Sequence, residues 1–265
     1  MNREAVASGN ANDVDVVASH FDDRAKRYAE KYAAARPRHL YEHEKRERAS
    51  WAGEWISRFA QQRPVASCLD VGCGDGRLLR SVLAAHERWT GTGIDVSPGM
   101  IEAARRHADP ASAVDRAAWS VGSLDDCQQM ADVVVSLGVI GYQADQPAFL
   151  TQLASRVLPG GLLILSVANG RSVLRSTRTM IQRAKDAWGR GERRVRFGTL
   201  QLRTVDQHLR SQELRRVELR WLCFGLGLPR SDLEVRASRW CEYHCTNQLL
   251  AERLAQVVLV CYQRS

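Results

Sequence analysis

Apolar residues at helical spacing mark the first part of the chain. Between residues 18 and 34 they recur every three or four positions, at Phe21, Ala25, Tyr28 and Tyr32. This spacing places them on one helix face. A second helix is predicted over 39–62, so that 18–62 forms a helical cap. Residues 1–17 are polar and small without periodicity, which predicts a mobile tail.

From residue 66 onward, short apolar runs alternate with amphipathic segments. The predicted strands are 67–71, 91–95, 117–121, 131–136, 162–167, 216–224 and 257–262. The predicted helices are 77–86, 98–107 (capped by Ser97), 146–158, 205–209 (capped by Thr204) and 247–254. Such alternation predicts βαβ units and a sheet covered on both faces. We therefore expect an α/β, Rossmann-like fold with seven mostly parallel strands.

Residues 169–200 interrupt this alternation. They are polar and include the arginine-rich run 190–196. A long connection inside a compact domain is usually functional or mobile. We therefore expect a single domain over 18–265, in which 169–200 is a lid between a first half, 66–168, and the C-terminal part of the sheet, 201–265.

Composition narrows the class of protein. The chain has 265 residues, a formal charge of +8 and seven scattered cysteines, a pattern that favours reduced thiols over a disulfide framework. No apolar run approaches the roughly 18–20 residues of a membrane span, and the first residues show no signal-peptide pattern. A cytoplasmic protein is expected. The charge favours an acidic partner or a solvated basic surface.

A glycine-rich turn is the strongest candidate for chemistry. Gly72, Gly74 and Gly76 follow a predicted buried strand and precede a predicted helix, where unpaired backbone N–H groups form a binding site. No lysine follows the glycines, which excludes a P-loop, and the spacing differs from the dinucleotide pattern GxGxxG. Asp70, just before the turn, suits a cationic ligand group better than a phosphate.

This stretch resembles motif I of class I S-adenosylmethionine-dependent methyltransferases. LDVGCGDG at 69–76 matches the motif almost residue for residue, and the resemblance continues along the chain. The later matching segments are 93–101, 122–124, 132–140 and 156–161, together covering about 66–168. The resemblance implies S-adenosylmethionine as the cofactor and an enzyme of the small-molecule branch of the family.

The resemblance also implies a set of cofactor-binding residues. They are Tyr28, Asp70, Gly72, Gly74, Asp95, Val96, Met100, Ser123, Leu124 and Leu137. Asp95 would accept both ribose hydroxyls, and Tyr28 would close over the cofactor. Ser123 stands where the family often has an acid, so adenine recognition is expected from the backbone of Ser123 and Leu124 or from Asp125.

Methyl transfer from a sulfonium is an in-line displacement that needs alignment and the exclusion of water. A base is needed only when the acceptor carries a proton, as a hydroxyl does. Hydroxyl oxygen is the first expected acceptor atom and nitrogen the second. The candidate bases are Tyr142 and His244, ahead of Gln143, Asp145, His39, Tyr41, His43 and His208. Related enzymes often carry a histidine near the position of Tyr142.

Two further patterns suggest metal ligands without a complete motif. His39 and His43 share a helix face, and CEYHC at 241–245 is dense in soft ligands. Neither has the additional ligands that a metal site needs, and a packed turn is the expectation for 241–245. No metal is expected.

The acceptor class stays open between several alternatives. The run 190–196 suits a phosphate, carboxylate or sugar-nucleotide, and therefore an anionic small molecule. An RNA methyltransferase is the alternative motivated by charge, although no added RNA-binding module is evident. A non-catalytic S-adenosylmethionine-binding module and a nicotinamide-dependent dehydrogenase are the others. The sequence leaves the oligomeric state open.

Overall fold

The fold is centred on one seven-stranded sheet. The computed structural model describes residues 14–33, 37, 39–107, 116–187, 197–225 and 232–265, with only the backbone described at 23–24, 26–33 and 182–187. The strands are β1 (Ser67–Val71), β2 (Thr90–Asp95), β3 (Ala117–Val121), β4 (Ala131–Leu137), β5 (Val157–Ala168), β6 (Leu214–Leu222) and β7 (Val257–Arg264). Their order is β3-β2-β1-β4-β5-β7-β6.

Strands β1 to β5 pair in parallel, and β7 pairs antiparallel with both β5 and β6. The strand order reverses between β1 and β4. Ligands of open α/β sheets bind beyond the carboxyl ends of the strands at such a reversal. The glycine turn at 72–76 follows β1 and lies at this position.

Helices cover both faces of the sheet. They are α1 (Val14–Ala33), α2 (Leu40–Ala60), α3 (Arg77–Ala85), α4 (Pro98–Arg106), α5 (Gln146–Ser155), α6 (Val173–Ala187), α7 (Leu202–Arg210), α8 (Asp232–His244) and α9 (Gln248–Leu254). Helices α5 and α7 contribute to one buried cluster, and α2 and α3 contribute to the other. The expected α/β architecture is confirmed.

Several element boundaries differ from the sequence prediction. Helix α1 begins at Val14, so the predicted tail 1–17 extends too far; Val17 is buried, and 1–13 lie outside the described residues. Helix α7 begins at Leu202 with Gln201 as its N-cap, which makes Thr204 a first-turn residue. The other predicted N-cap, Ser97 before α4, is confirmed because its side chain accepts a hydrogen bond from the N–H of Met100.

Strand β5 also begins earlier than predicted. Helix α5 ends at Ser155, and β5 already includes the segment 158–161 that was expected to be a helix end and a turn. The register with β4 shifts there, from the Ala131–Val157 pair to the Val133–Leu162 pair. A bulge therefore accommodates Pro159 and the two following glycines within the strand.

Two helices were not predicted at all. Helix α6 lies inside the expected lid 169–200, and α8 contains most of the segment 241–245 that was expected to be a packed turn. The arginine-rich run 190–196 lies outside the described residues. In the described ranges no helix has the length and apolar character needed to cross a bilayer.

Candidate active site

The glycine turn exposes its backbone. Gly72, Gly74 and Gly76 all have left-handed φ values, of 74°, 55° and 71°. The N–H groups of Gly72 and Cys73 donate to the carbonyl of Ile94 at 2.8 and 3.0 Å, which ties the turn to the end of β2. A Cβ added at Gly74 would meet no protein atom within 4 Å. This position therefore opens onto free space that a ligand can approach closely.

Asp95 ends β2 beside this turn. Its two carboxylate oxygens accept backbone N–H groups, Oδ1 from Ser97 and Oδ2 from Gly74, both at 2.9 Å. Burial raises the pKa of Asp95, and these two hydrogen bonds act in the opposite direction. A carboxylate offers about four acceptor positions. Asp95 thus retains capacity to accept two ligand hydroxyls, which fits a ribose.

Asp70 is a buried carboxyl at the end of β1. Burial raises its pKa to about 7, and the negative charges of Asp95 and Asp75 add to the effect. Asp70 lines a cavity of about 450 Å³ between α2 and the glycine turn. Asp70 does not line the larger cavity described next, whereas Gly72, Gly74 and Leu137 line both cavities.

The larger cavity has a volume of about 620 Å³ and lies over the carboxyl ends of the strands. This is a usual size for a small-molecule site. The predicted cofactor residues that line it are Gly72, Gly74, Asp95, Val96, Met100, Ser123, Leu124 and Leu137. The side chain of Tyr28 is outside the described residues. One cavity therefore collects residues from the ends of β1, β2, β3 and β4.

In the turn after β3, one of the backbone groups expected to contact adenine is already bonded within the protein. The N–H and the hydroxyl of Ser123 both donate to Asp126, at 2.9 and 3.0 Å. This capping box engages the N–H of Ser123 within the protein. Asp125, the alternative contact, lines the cavity together with Ser123 and Leu124, and it accepts a hydrogen bond from the side chain of Gln152.

Aromatic rings line the other end of the cavity. Tyr142, in the 3₁₀ turn 140–142 after β4, makes edge-on contacts with Phe21 of α1 and Phe197, with centroid distances of 5.3 and 4.7 Å. Tyr41 of α2 lines the same cavity. Neither Phe21 nor Phe197 was predicted as a site residue, and the two lie far apart in the sequence.

Charged side chains accompany these rings. Glu44 and Arg48, one turn apart on α2, form a salt bridge at 3.2 Å, and Arg48 also donates to Ser166 of β5. Arg175 and Arg178 of α6 complete the lining. The sequence shows that Glu44 and Arg48 are four residues apart and that Arg175 and Arg178 are three apart. It contains no local pattern that predicts that α2 and α6 line the same cavity.

Tyr41 and Gln143 line this cavity together with Tyr142, whereas the other predicted bases, His39, His43, Asp145, His208 and His244, line neither cavity. His244 is exposed at the end of α8, stacked on Trp240, and lines neither cavity, so its predicted catalytic role finds no support in its position. His43 is buried and bonded to Glu242 at 2.9 Å. Burial lowers the pKa of His43, but the bond to Glu242 and the nearby carboxylates outweigh this and raise it. It links α2 to α8.

Helix α1 is attached to α4 through one carboxylate. Asp22 accepts hydrogen bonds from the hydroxyl of Ser97 and, at 2.9 Å, from the N–H of Gly99. Asp22→Ala is expected to loosen α1, which supplies part of the cavity wall, and to weaken binding of S-adenosylhomocysteine roughly 3- to 10-fold, less than the loss of a direct charge-assisted bond to the ligand would cost. Isothermal titration calorimetry measures this.

The matched control is Glu102→Ala on α4, since this side chain is 69% exposed and forms only a surface ion pair with Arg106. It should bind as the wild type does. Unchanged affinity in Asp22→Ala would show that this attachment of α1 to α4 is not needed for binding.

The strand order and the glycine turn, with the carboxylate of Asp95 bonded to it, define a class I S-adenosylmethionine-dependent methyltransferase fold. A methyltransferase-domain profile matches residues 41–228, more than two thirds of the chain. The chain belongs to this family.

Comparison with known proteins places the chain among several methyltransferases. A ubiquinone biosynthesis O-methyltransferase of Azorhizobium caulinodans is 36% identical over 102 residues, 38% of this chain and 40% of that protein. The corresponding protein of Methylobacterium nodulans is 33% identical over 104 residues, 39% and 41% of the two chains. The match thus spans about 40% of the length of these relatives.

Solved structures share the fold at low identity. Magnesium protoporphyrin IX methyltransferase from Synechocystis PCC 6803, with bound S-adenosylhomocysteine (SAH), superposes with a TM-score of 0.66 at 15% identity. The superposition covers 97% of this chain and 100% of the other. Geranyl diphosphate C-methyltransferase from Streptomyces coelicolor A3(2) gives 0.53 at 14%, covering 76% and 73%. At these identities the likeness concerns the fold alone.

Proposed function

We propose that this protein transfers the methyl group of S-adenosylmethionine to a small-molecule acceptor, at a hydroxyl oxygen. The observation that carries the proposal is the single cavity of about 620 Å³. At one end it has the glycine turn and Asp95, and at the other it has the rings of Tyr142, Phe21 and Phe197. Cofactor and acceptor would therefore meet inside one enclosure.

The residues present fit the cofactor. Asp95 would accept the ribose hydroxyls, the open side of Gly74 would face the cofactor, and Asp125 would lie at the adenine end. S-adenosylmethionine supplies a methyl group on a sulfonium, already activated for displacement. The protein would therefore act by aligning the acceptor and by excluding water.

The acceptor end supports a planar and negatively charged molecule. Aromatic side chains provide flat walls, and cationic side chains from α2 and α6 lie among them. The O-methyltransferase relatives favour a hydroxyl acceptor. Of the residues in the turn after β4, Tyr142 would lie nearest to the acceptor hydroxyl. Because Arg175, Arg178 and Phe197 all line the cavity, the segment 169–200 would close it as a lid.

Two measurements test this function. Calorimetry with S-adenosylhomocysteine should show binding, and mass spectrometry should show one added methyl group on members of a panel of phenols and catechols incubated with S-adenosylmethionine. The control is the same panel without enzyme. Binding without transfer to any hydroxyl acceptor would point to a non-catalytic module, and absence of binding at millimolar ligand would overturn the proposal.

A further inference from the structure

One face of α2 carries two buried polar atoms that have no hydrogen-bond partner among the described residues. They are the hydroxyl oxygen of Tyr41 and Oε1 of Glu44. The two residues are three positions apart on the helix and therefore lie on one face, and both line the larger cavity. Buried polar atoms are hydrogen-bonded in the great majority of cases. Two such atoms on one cavity wall therefore indicate a place for a ligand.

Glu44 is the more unusual of the two, because it is a carboxylate that is only 4% exposed. Arg48 lies 3.2 Å from Oε1, but this ion pair lacks hydrogen-bond geometry, so the oxygen keeps its capacity to accept a proton donor. The last side-chain torsion of a glutamate is broad, so either oxygen can turn toward the cavity. A buried carboxylate oxygen without a donor is unfavourable, and a ligand O–H placed against it would offset this cost.

Glu44 belongs to the aromatic end of the cavity. Burial lowers the pKa of Arg175, and nearby acidic groups, among them Glu44 and Tyr142, oppose this lowering. The guanidinium of Arg175 lies 5.7 Å from the ring centroid of Phe197, and that ring contacts Tyr142. Glu44 therefore shares its surroundings with the rings among which the acceptor is proposed to bind.

Few other side chains of this cavity could accept a proton from the acceptor. Within the described part of the chain, the other carboxylates that line it are Asp95 and Asp125. Both lie at the cofactor end, by the glycine turn and by the turn after β3. A histidine also lines the cavity, His20 of α1, whose ring meets that of Phe21 edge-on. His20 is therefore the residue against which Glu44 has to be tested.

We propose that Glu44 is the base of methyl transfer, and that it acts with Tyr41 on a neutral hydroxyl group of the acceptor. A hydroxyl has one O–H donor and two acceptor lone pairs, so it can donate to Glu44 and accept from Tyr41 at once. A carboxylate acceptor would be rejected here, because it has no proton to donate and its charge repels that of Glu44. This inference rests on the proposed function and adds the residue that takes the proton.

The step that Glu44 assists is balanced within the two substrates and this side chain. As the acceptor oxygen bonds to the methyl carbon, its O–H bond would break and the proton would pass to Glu44. The electron pair of the broken carbon–sulfur bond would stay on sulfur. The proton on Glu44 would then return to solvent when the products leave.

The first test compares two catechols of similar size, 4-methylcatechol and 4-nitrocatechol, at a pH where only the second is ionised. An ionised acceptor needs no base. Glu44→Gln should therefore lower the rate at saturating acceptor at least about 100-fold for 4-methylcatechol and less than about 10-fold for 4-nitrocatechol. Glu54→Gln removes a carboxylate that is 54% exposed on the same helix and should keep both rates. Tyr41→Phe should weaken binding of both catechols at least about 3-fold.

The second test needs no turnover. On protein saturated with S-adenosylhomocysteine, the absorbance spectrum of bound 4-nitrocatechol shows whether the probe is ionised. A carboxylate beside the hydroxyl disfavours the phenolate, so the bound probe should ionise at a pH about 1 unit lower in Glu44→Gln than in the wild type. A purely structural role of Glu44 would leave this pH unchanged. Unchanged affinity for S-adenosylhomocysteine shows that a variant is folded, and Glu44→Ala replaces Glu44→Gln if the latter fails this check.

Several outcomes would overturn the inference. They are equal rate losses on the two catechols, no binding of 4-nitrocatechol, and an ionisation pH that Glu44→Gln leaves unchanged. A selective loss on 4-methylcatechol in His20→Gln but not in Glu44→Gln would assign the base to α1 instead. If the ionisation pH falls as expected but no hydroxyl acceptor gains a methyl group, the proposed function fails and the contact of Glu44 with the ligand stands. If the wild type methylates phenols and Glu44→Gln does so equally well, the proposed function stands and the inference fails.

Discussion

Asp95→Ala is expected to reduce the affinity for S-adenosylhomocysteine at least about 100-fold and to abolish methyl transfer at micromolar cofactor. The carboxylate would accept two ribose hydroxyls, and each charge-assisted hydrogen bond contributes roughly 1.5–3 kcal/mol. Two such bonds correspond to a factor of about 100 or more in the dissociation constant. The substitution also releases the N–H of Gly74 from its 2.9 Å bond, so the turn loses one of its attachments to the end of β2.

Two variants sharpen this test. Asp95→Asn keeps the shape and one acceptor oxygen, so its affinity should lie between those of Asp95→Ala and the wild type. Glu54→Ala removes a carboxylate that is 54% exposed on α2 and should bind normally. Calorimetry gives the dissociation constants, and thermal melting shows whether each variant is folded. Wild-type affinity in folded Asp95→Ala would contradict a ribose-binding role.

The centre of the sheet was predictable because β1, β4, β5 and β7 are apolar runs that lie largely buried between helices. β1 and β3 begin and end at the predicted residues, and the glycines after β1 mark the following turn. Helices α6 and α8 were missed for a physical reason. On α6, Met180 is 70% exposed, and on α8, Leu233 is 76% exposed. The sequence of α6 does contain apolar residues at helical spacing, but the polar and arginine-rich character of 169–200 outweighed them; these residues are Val173, Leu174, Met180 and Ile181. On α8 the apolar periodicity is weak.

The two ends of the cavity also differed in how far the sequence could predict them. The cofactor end follows one contiguous stretch, so local patterns around Gly72 and Asp95 were enough to predict it. The acceptor end combines α1, α2, the turn at Tyr142, α6 and Phe197, which only the tertiary fold brings together. His244 was a plausible base by residue type alone, and its position at the exposed end of α8 could not be foreseen.

Alanine substitutions at Gly72 and Gly74 should act on different properties, the first mainly on stability and the second mainly on ligand binding. Both residues have left-handed φ values, of 74° and 55°, so each alanine incurs a backbone cost of about 1–2 kcal/mol. At Gly72 the new Cβ would also lie 2.2 Å from Cγ2 of Val139. Overpacking of this kind adds about 1–3 kcal/mol. Gly72→Ala should therefore lose about 2–5 kcal/mol of unfolding free energy, measured by denaturant titration.

Gly74→Ala should instead act mainly on binding. Its new methyl group meets no protein atom within 4 Å, and Gly74 lines the cavity. Affinity for S-adenosylhomocysteine should therefore fall at least about 10-fold with only the backbone loss in stability. The double variant Gly72→Ala with Val139→Ala isolates the clash, because it removes the opposing Cγ2. It should regain part of the stability that Gly72→Ala loses, and the regained part measures the overpacking. If the double variant is no more stable than additivity of the single changes predicts, the cost at Gly72 comes from its backbone alone. If Gly74→Ala binds the cofactor product as tightly as the wild type, the open side of the turn does not face the ligand.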